Sequence, residues 1–121
     1  MKDEIATISY TESDWPKLMA EKLTIDAVNR KIIIDNKDER MIRKCTEADW
    51  QKIEHLISKC NFMQWKENYF EPVLDGTSWN LEIKFTDGRT HESHGSNGYP
   101  DEWKQFLSLK RLCRRLMKQD D

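Results

Sequence analysis

Leu74 to Trp103 reads LDGTSWNLEIKFTDGRTHESHGSNGYPDEW, and half of the architecture follows from it. Trp79, Leu81, Ile83 and Phe85 alternate with Asn80, Glu82, Lys84 and Thr86, the period-2 pattern of a strand with one buried face. Asp87-Gly88 comes next, a pair that tolerates the positive φ of a tight turn, so the chain is expected to fold back as a hairpin. The return strand, roughly residues 89–96, contains no aliphatic residue on either face. If Asp87-Gly88 is the whole loop, Phe85 faces Thr90, Ile83 faces Glu92 and Leu81 faces His94. In the register slipped by one, Arg89, His91 and Ser93 take those places. Either way a polar row lies opposite an apolar one. Two readings stay open: a polar edge strand that discourages edge-to-edge association, or a pocket into which His91, Glu92 and His94 point.

Gly95 to Pro100 breaks the strand, and Pro100 suits the first position of a helix, followed by Asp101 and Glu102 near the positive end of its dipole. From there Trp103, Phe106, Leu107, Leu109, Leu112, Cys113, Leu116 and Met117 form an apolar arc at helical spacing. Lys104, Arg111, Arg115 and Lys118 cluster on the opposite side, where charge is ordinarily solvated but is also able to dock an acidic partner or nucleic acid.

The series Asp75-Gly76, Trp79, Leu81, Ile83, then Gly95, Asn97, Tyr99 and Pro100 ahead of an aromatic helix start resembles a recurrent family of small bacterial proteins. The resemblance spans residues 74–106. It implies a helix and several strands ahead of the aromatic hairpin and a bacterial source, and it brings no catalytic residue. The chain departs from the family pattern at Thr11 to Pro16, where such proteins are often glycine-rich.

The 121 residues are enough for one core, and 37% hydrophobic with 35% charged residues fits a single domain over residues 1–121. The formal net charge is −2 with both signs mixed along the chain, unlike a nucleic-acid or membrane tail. Cys45, Cys60 and Cys113 are odd in number and lie among apolar residues, as reduced thiols of a cytoplasmic protein do. The charged start Met1-Lys2-Asp3-Glu4 has no apolar run of signal-peptide or membrane-span length.

In the first half, Ile5 to Tyr10 alternates as a strand, whereas Ser13 to Pro16 suits either one capped turn of helix or a loop. Leu23, Ile25 and Ala27 form a second strand. Asn29-Arg30 turns into Lys31 to Ile34, whose consecutive isoleucines suit burial on both faces. Met41 to Cys45 completes a meander. Thr46 caps a helix with Glu47 and Asp49 in its first turn, and Asn61 suits its left-handed stop. Trp50, Ile53, Leu56, Ile57 and Cys60 form its apolar stripe, with His55 at the boundary. Residues 61–73 have no clean period and are expected to connect the halves, packing aromatics over the sheet edge. The fold expected is α+β, a mostly antiparallel sheet of about five to six strands with two helices on one face. Most of the five tryptophans are expected in the core, with Trp15 and Trp65 as candidate exposed rings.

No phosphate loop, Cys-x-x-Cys, Gly-x-Ser-x-Gly or His-Glu-x-x-His is present. His91 and His94 point to opposite faces of a strand, which opposes a shared metal. The expectation is therefore a non-enzymatic module, without cofactor, membrane or catalytic residue, whose partner is another protein. Its candidate binding residues are His91, Glu92, His94, Asn97 and Tyr99. The rivals are a metal-dependent enzyme centred on residues 91–94 and nucleic-acid binding through Arg111 and Arg115.

Overall fold

The computed structural model describes residues 4–14, 20–36, 38–71 and 77–118. Trp15, Pro16 and Asp75-Gly76, which figure in the sequence reading, lie outside them. The elements run β1 (Ile5–Asp14), β2 (Ala20–Asp26), β3 (Lys31–Asp35), β4 (Arg40–Lys44), α1 (Glu47–Cys60), β5 (Asn68–Phe70), β6 (Thr77–Phe85), β7 (Thr90–Ser96) and α2 (Trp103–Met117). A single 3-10 turn, Phe62–Gln64, follows α1. The seven strands among the described residues form one sheet in the order β4-β3-β2-β1-β6-β7-β5. The fold is α+β, with every pairing antiparallel except β5 with β7.

The meander β1 to β4 builds outward from β1, and the β6–β7 hairpin joins β1 on its other side. The register of β1 against β6 shifts between Ile5 and Thr7, a bulge that gives β1 one extra residue. Ile5 can thereby pack on the same core as Ile8 and Tyr10 although simple alternation separates them. The isoleucines of β3 are buried in succession, Ile32 and Ile34 in the main core and Ile33 beside Ile42 and Thr24 in the pairing register. The β2–β3 connection is four residues long, since Asp26 pairs with Lys31, and Asp26 organises it as an acceptor for the backbone of Val28 and Asn29. It is longer than a simple Asn29-Arg30 turn.

α1 begins and ends as its capping residues predict. Thr46 accepts from the Asp49 amide at 3.1 Å, and Asn61 takes the left-handed conformation at φ 53°. α2 starts at Trp103, three residues later than the position of Pro100 predicts: Pro100 is buried and its carbonyl accepts from the Trp103 amide. Both helices supply the core, with Trp50, Ile53 and Cys60 from α1 and Phe106, Leu109, Leu112, Cys113 and Leu116 from α2. Tyr10, Trp65, Trp79, Trp103 and Phe106 form a linked aromatic cluster. Trp65 belongs to this core, 3% exposed with its indole N–H donating to the Cys60 carbonyl at 2.8 Å, so it is no exposed platform. No helix among the described residues is long and apolar enough to cross a membrane.

β5 is the strand beyond the expected count. Three residues without alternation carry no readable pattern, and Asn68, Tyr69 and Phe70 become a strand because they meet His94, Gly95 and Ser96. Consequently β7 is an outer-edge strand only over its first half.

Candidate functional site

β7 holds most of the residues that the sequence singles out, and its register decides where they point. The hairpin turn has three residues, not two: Phe85 donates to the Arg89 carbonyl at 2.9 Å, the Gly88 amide returns to the Phe85 carbonyl at 3.0 Å, and Gly88 sits at φ 93°. This is a tight turn closed by a left-handed residue. Ile83 therefore faces His91, Leu81 faces Ser93 and Trp79 faces Gly95, the slipped alternative of the two registers.

His91 and Ser93 lie on the core side. Ser93 is fully buried and, among the described residues, its hydroxyl has no hydrogen-bond partner; the buried His91 Nε2 likewise has none there. Glu92 and His94 lie on the opposite, uncovered face. There Glu92 stands across from Glu82, and the His94 Nδ1 shares a hydrogen bond with the Asn80 side-chain oxygen. With Lys22 and Thr11 they border a shallow depression of about 320 Å³. Asn97 is at φ 60°, its amide donating to the Thr77 carbonyl and its side-chain oxygen accepting from the Thr77 amide, both at 3.0 Å. Its polar group is thus engaged in closing the mouth of the β6–β7 hairpin. Tyr99 is half-exposed, its ring 4.7 Å from that of Trp103. The five candidates fall into four surroundings, and only Glu92 and His94 share a surface.

Gly95 and Asn97 thus carry an architectural signal. The Trp79 indole lies directly over Gly95, where a Cβ would come within 2.0 Å of Nε1, and its N–H donates to the Gly98 carbonyl at 2.9 Å.

The chemistry available is limited. Among the described residues, no group of three or more His, Cys, Asp or Glu could hold a metal ion. Burial pushes the thiols of Cys60 and Cys113 up to about 12, with the Glu102 charge adding at Cys60 and Cys45 at Cys113. Neither supplies a thiolate nucleophile near neutral pH.

A second surface lies on the outside of the helical layer. α1 and α2 pack side by side and leave between them a groove of about 680 Å³. Ala48, Leu56 and Leu112 form its apolar lining; Lys52 and His55 of α1 and Arg111 and Arg115 of α2 line it with basic groups, and no Asp or Glu is among the lining residues. Four of the five cations of α2 form two pairs, each one helical turn apart. Lys110 and Arg114 turn toward the sheet, where Lys110 pairs with Glu12 and Arg114 with Glu21, each at 2.9 Å. Arg111 and Arg115 turn away and, like Lys52, have no ion-pair partner among the described residues. The sequence marks Arg111 and Arg115 as part of one basic stripe with Lys104 and Lys118. It does not mark Lys52, because Lys52 joins that stripe only when α1 packs beside α2.

No protein-family model matches the chain, and no curated protein matches it.

Proposed function

We propose that the chain is a non-enzymatic module that binds another protein, and that the groove between α1 and α2 is its binding surface. One observation carries this reading: Lys52, Arg111 and Arg115 stand around an apolar floor without an ion-pair partner among the described residues, while the neighbouring Lys110 and Arg114 are neutralised by Glu12 and Glu21. Flanking charge over a partly buried Leu56 and a buried Leu112 is the make-up of an interface, with apolar area for affinity and charge for orientation and rate. The buried thiols of Cys60 and Cys113 offer no ready nucleophile, and three free cysteines suit action in the cytoplasm.

Site-specific photo-crosslinking in cells tests the assignment. A crosslinker in place of Ser108, within the groove, is expected to trap a protein adduct that disappears when Arg111→Glu and Arg115→Glu are introduced. One in place of Asn80, on the uncovered sheet face, is expected to trap none. Adducts at position 80 alone would move the interface to the sheet, and no adduct at position 108 would end the reading of the groove.

A further inference from the structure

Resting on that reading of the groove, we infer that its occupant is an acidic amphipathic helix of a partner protein. Charge gives the sign. Three cations without an ion-pair partner among the described residues and an imidazole line the groove with no carboxylate among them, although the chain as a whole carries −2. The wall is therefore a local inversion of the molecule's charge and selects an acidic ligand over a basic one.

Geometry gives the shape. The groove is bounded by two helices, whose backbone groups are satisfied internally, so it presents no strand edge for an extended peptide to extend. What it presents is a ridge-and-groove surface suited to a third helix. Arg111 and Arg115 are one turn apart on one wall, and Lys52 and His55 are three residues apart on the other. A ligand helix with carboxylates at the same spacing on both flanks meets the two walls together. Its apolar stripe then covers Leu56, Leu112 and Ala48.

The apolar floor and the small number of cations favour this ligand over nucleic acid. A phosphate backbone draws its affinity from many basic contacts on a domain of net positive charge, whereas this groove offers three Lys or Arg side chains.

The full chain is titrated by calorimetry and fluorescence anisotropy with synthetic helical peptides of about 15 residues, four turns long. One carries leucines at i, i+3, i+4 and i+7 flanked by glutamates. The second has lysine for each glutamate, the third is acidic with the leucines replaced by glutamine, and a duplex oligonucleotide serves as the fourth probe. The glutamate-leucine peptide is expected to bind most tightly. Lys52→Glu with Arg111→Glu and Arg115→Glu is expected to weaken it about tenfold or more and to raise the affinity of the lysine peptide, from three partly exposed pairs lost and replaced by repulsion. The reversal of preference separates charge recognition from mere unfolding of the variant. Equal binding of the lysine peptide, equal binding of the leucine-free peptide, or tighter binding of the duplex would overturn the inference. If no peptide binds while the crosslinker at position 108 still traps a protein, the acidic helix is wrong and the groove assignment stands; if both fail, both fall.

Discussion

Replacing Gly95 with alanine tests the packing that closes the hairpin. The added Cβ would lie 2.0 Å from Trp79 Nε1, 2.3 Å from Cε2 and 2.6 Å from the Gly98 carbonyl oxygen. Ordinary contact is about 3.5–4 Å, so the indole must retreat by about 1.5 Å. Trp79 is fully buried, with its ring 4.9–5.9 Å from those of Trp65, Tyr69 and Trp103, so a retreat disturbs these ring contacts. Overpacking costs about 1–3 kcal/mol, the lost N–H bond to Gly98 about 1 kcal/mol, and a disturbed ring contact about 0.5–1.5 kcal/mol. The expected loss is about 3–5 kcal/mol, a large share of the stability of a domain this size. In urea unfolding followed by tryptophan fluorescence, the midpoint should fall by about 2 M at an m-value of about 2 kcal/mol/M. Gly88→Ala supplies the comparison: φ is 93° but nothing lies within 4 Å, so only backbone strain of about 1 kcal/mol is expected. In a Trp79→Phe background the Gly95→Ala cost should shrink by at least about 1 kcal/mol, because the colliding Nε1 is gone. A midpoint for Gly95→Ala no lower than that of Gly88→Ala would refute the steric argument.

Asn97→Ala should lose about 1–2 kcal/mol by thermal or urea unfolding, since it forfeits the Thr77 hydrogen bond and puts alanine at φ 60°, while Asn97→Gly should lose less; equal losses would dismiss the backbone contribution. Asp26 bears on pH: burial raises its carboxyl, but hydrogen bonds from the Asn29 side chain and from the Asn29 and Val28 amides, with the Lys31 charge, hold it below its ordinary value. A depressed folded-state value stabilises fully above the unfolded value of about 4, and the contribution is lost as pH falls through the folded value. The stability deficit of Asp26→Ala should therefore narrow below about pH 4, and a constant deficit would remove Asp26 from the acid response. With a thiol reagent at neutral pH, half-buried Cys45 should label first and Cys60 and Cys113 only as fast as the protein unfolds; prompt labelling of either would contradict their burial.

Elements written in local patterns were legible. Trp79 to Phe85 alternates, Thr46 and Asn61 bracket α1, and the apolar arc of α2 names, apart from Leu107, residues of the core or packed against it. Each follows from neighbours a few residues apart, through pleat, capping or helical period. The return strand's polar character was legible too, as was the opposition of His91 to His94 across the pleat. Which of two registers held was not, because Asp87-Gly88 fits a two-residue loop and equally the end of a three-residue one. The same holds for Asn97. Its residue type allows a binding role or a left-handed backbone position, and only contact with Thr77 assigns the latter.

What lay beyond the sequence were the features made by residues far apart. β5 exists because three unpatterned residues meet β7, and Gly95 is constrained by an indole sixteen residues before it. The groove unites Lys52 with Arg111 and Arg115 because α1 and α2 pack side by side, and Glu12 and Glu21 select which cations of α2 remain unpaired. The sequence by itself determined the periodic elements, the caps of α1 and the fold class, since these depend on short-range sterics and burial. Register, the seventh strand and the charged groove were decided by tertiary structure, where separations along the chain are long and the deciding quantity is which surfaces meet.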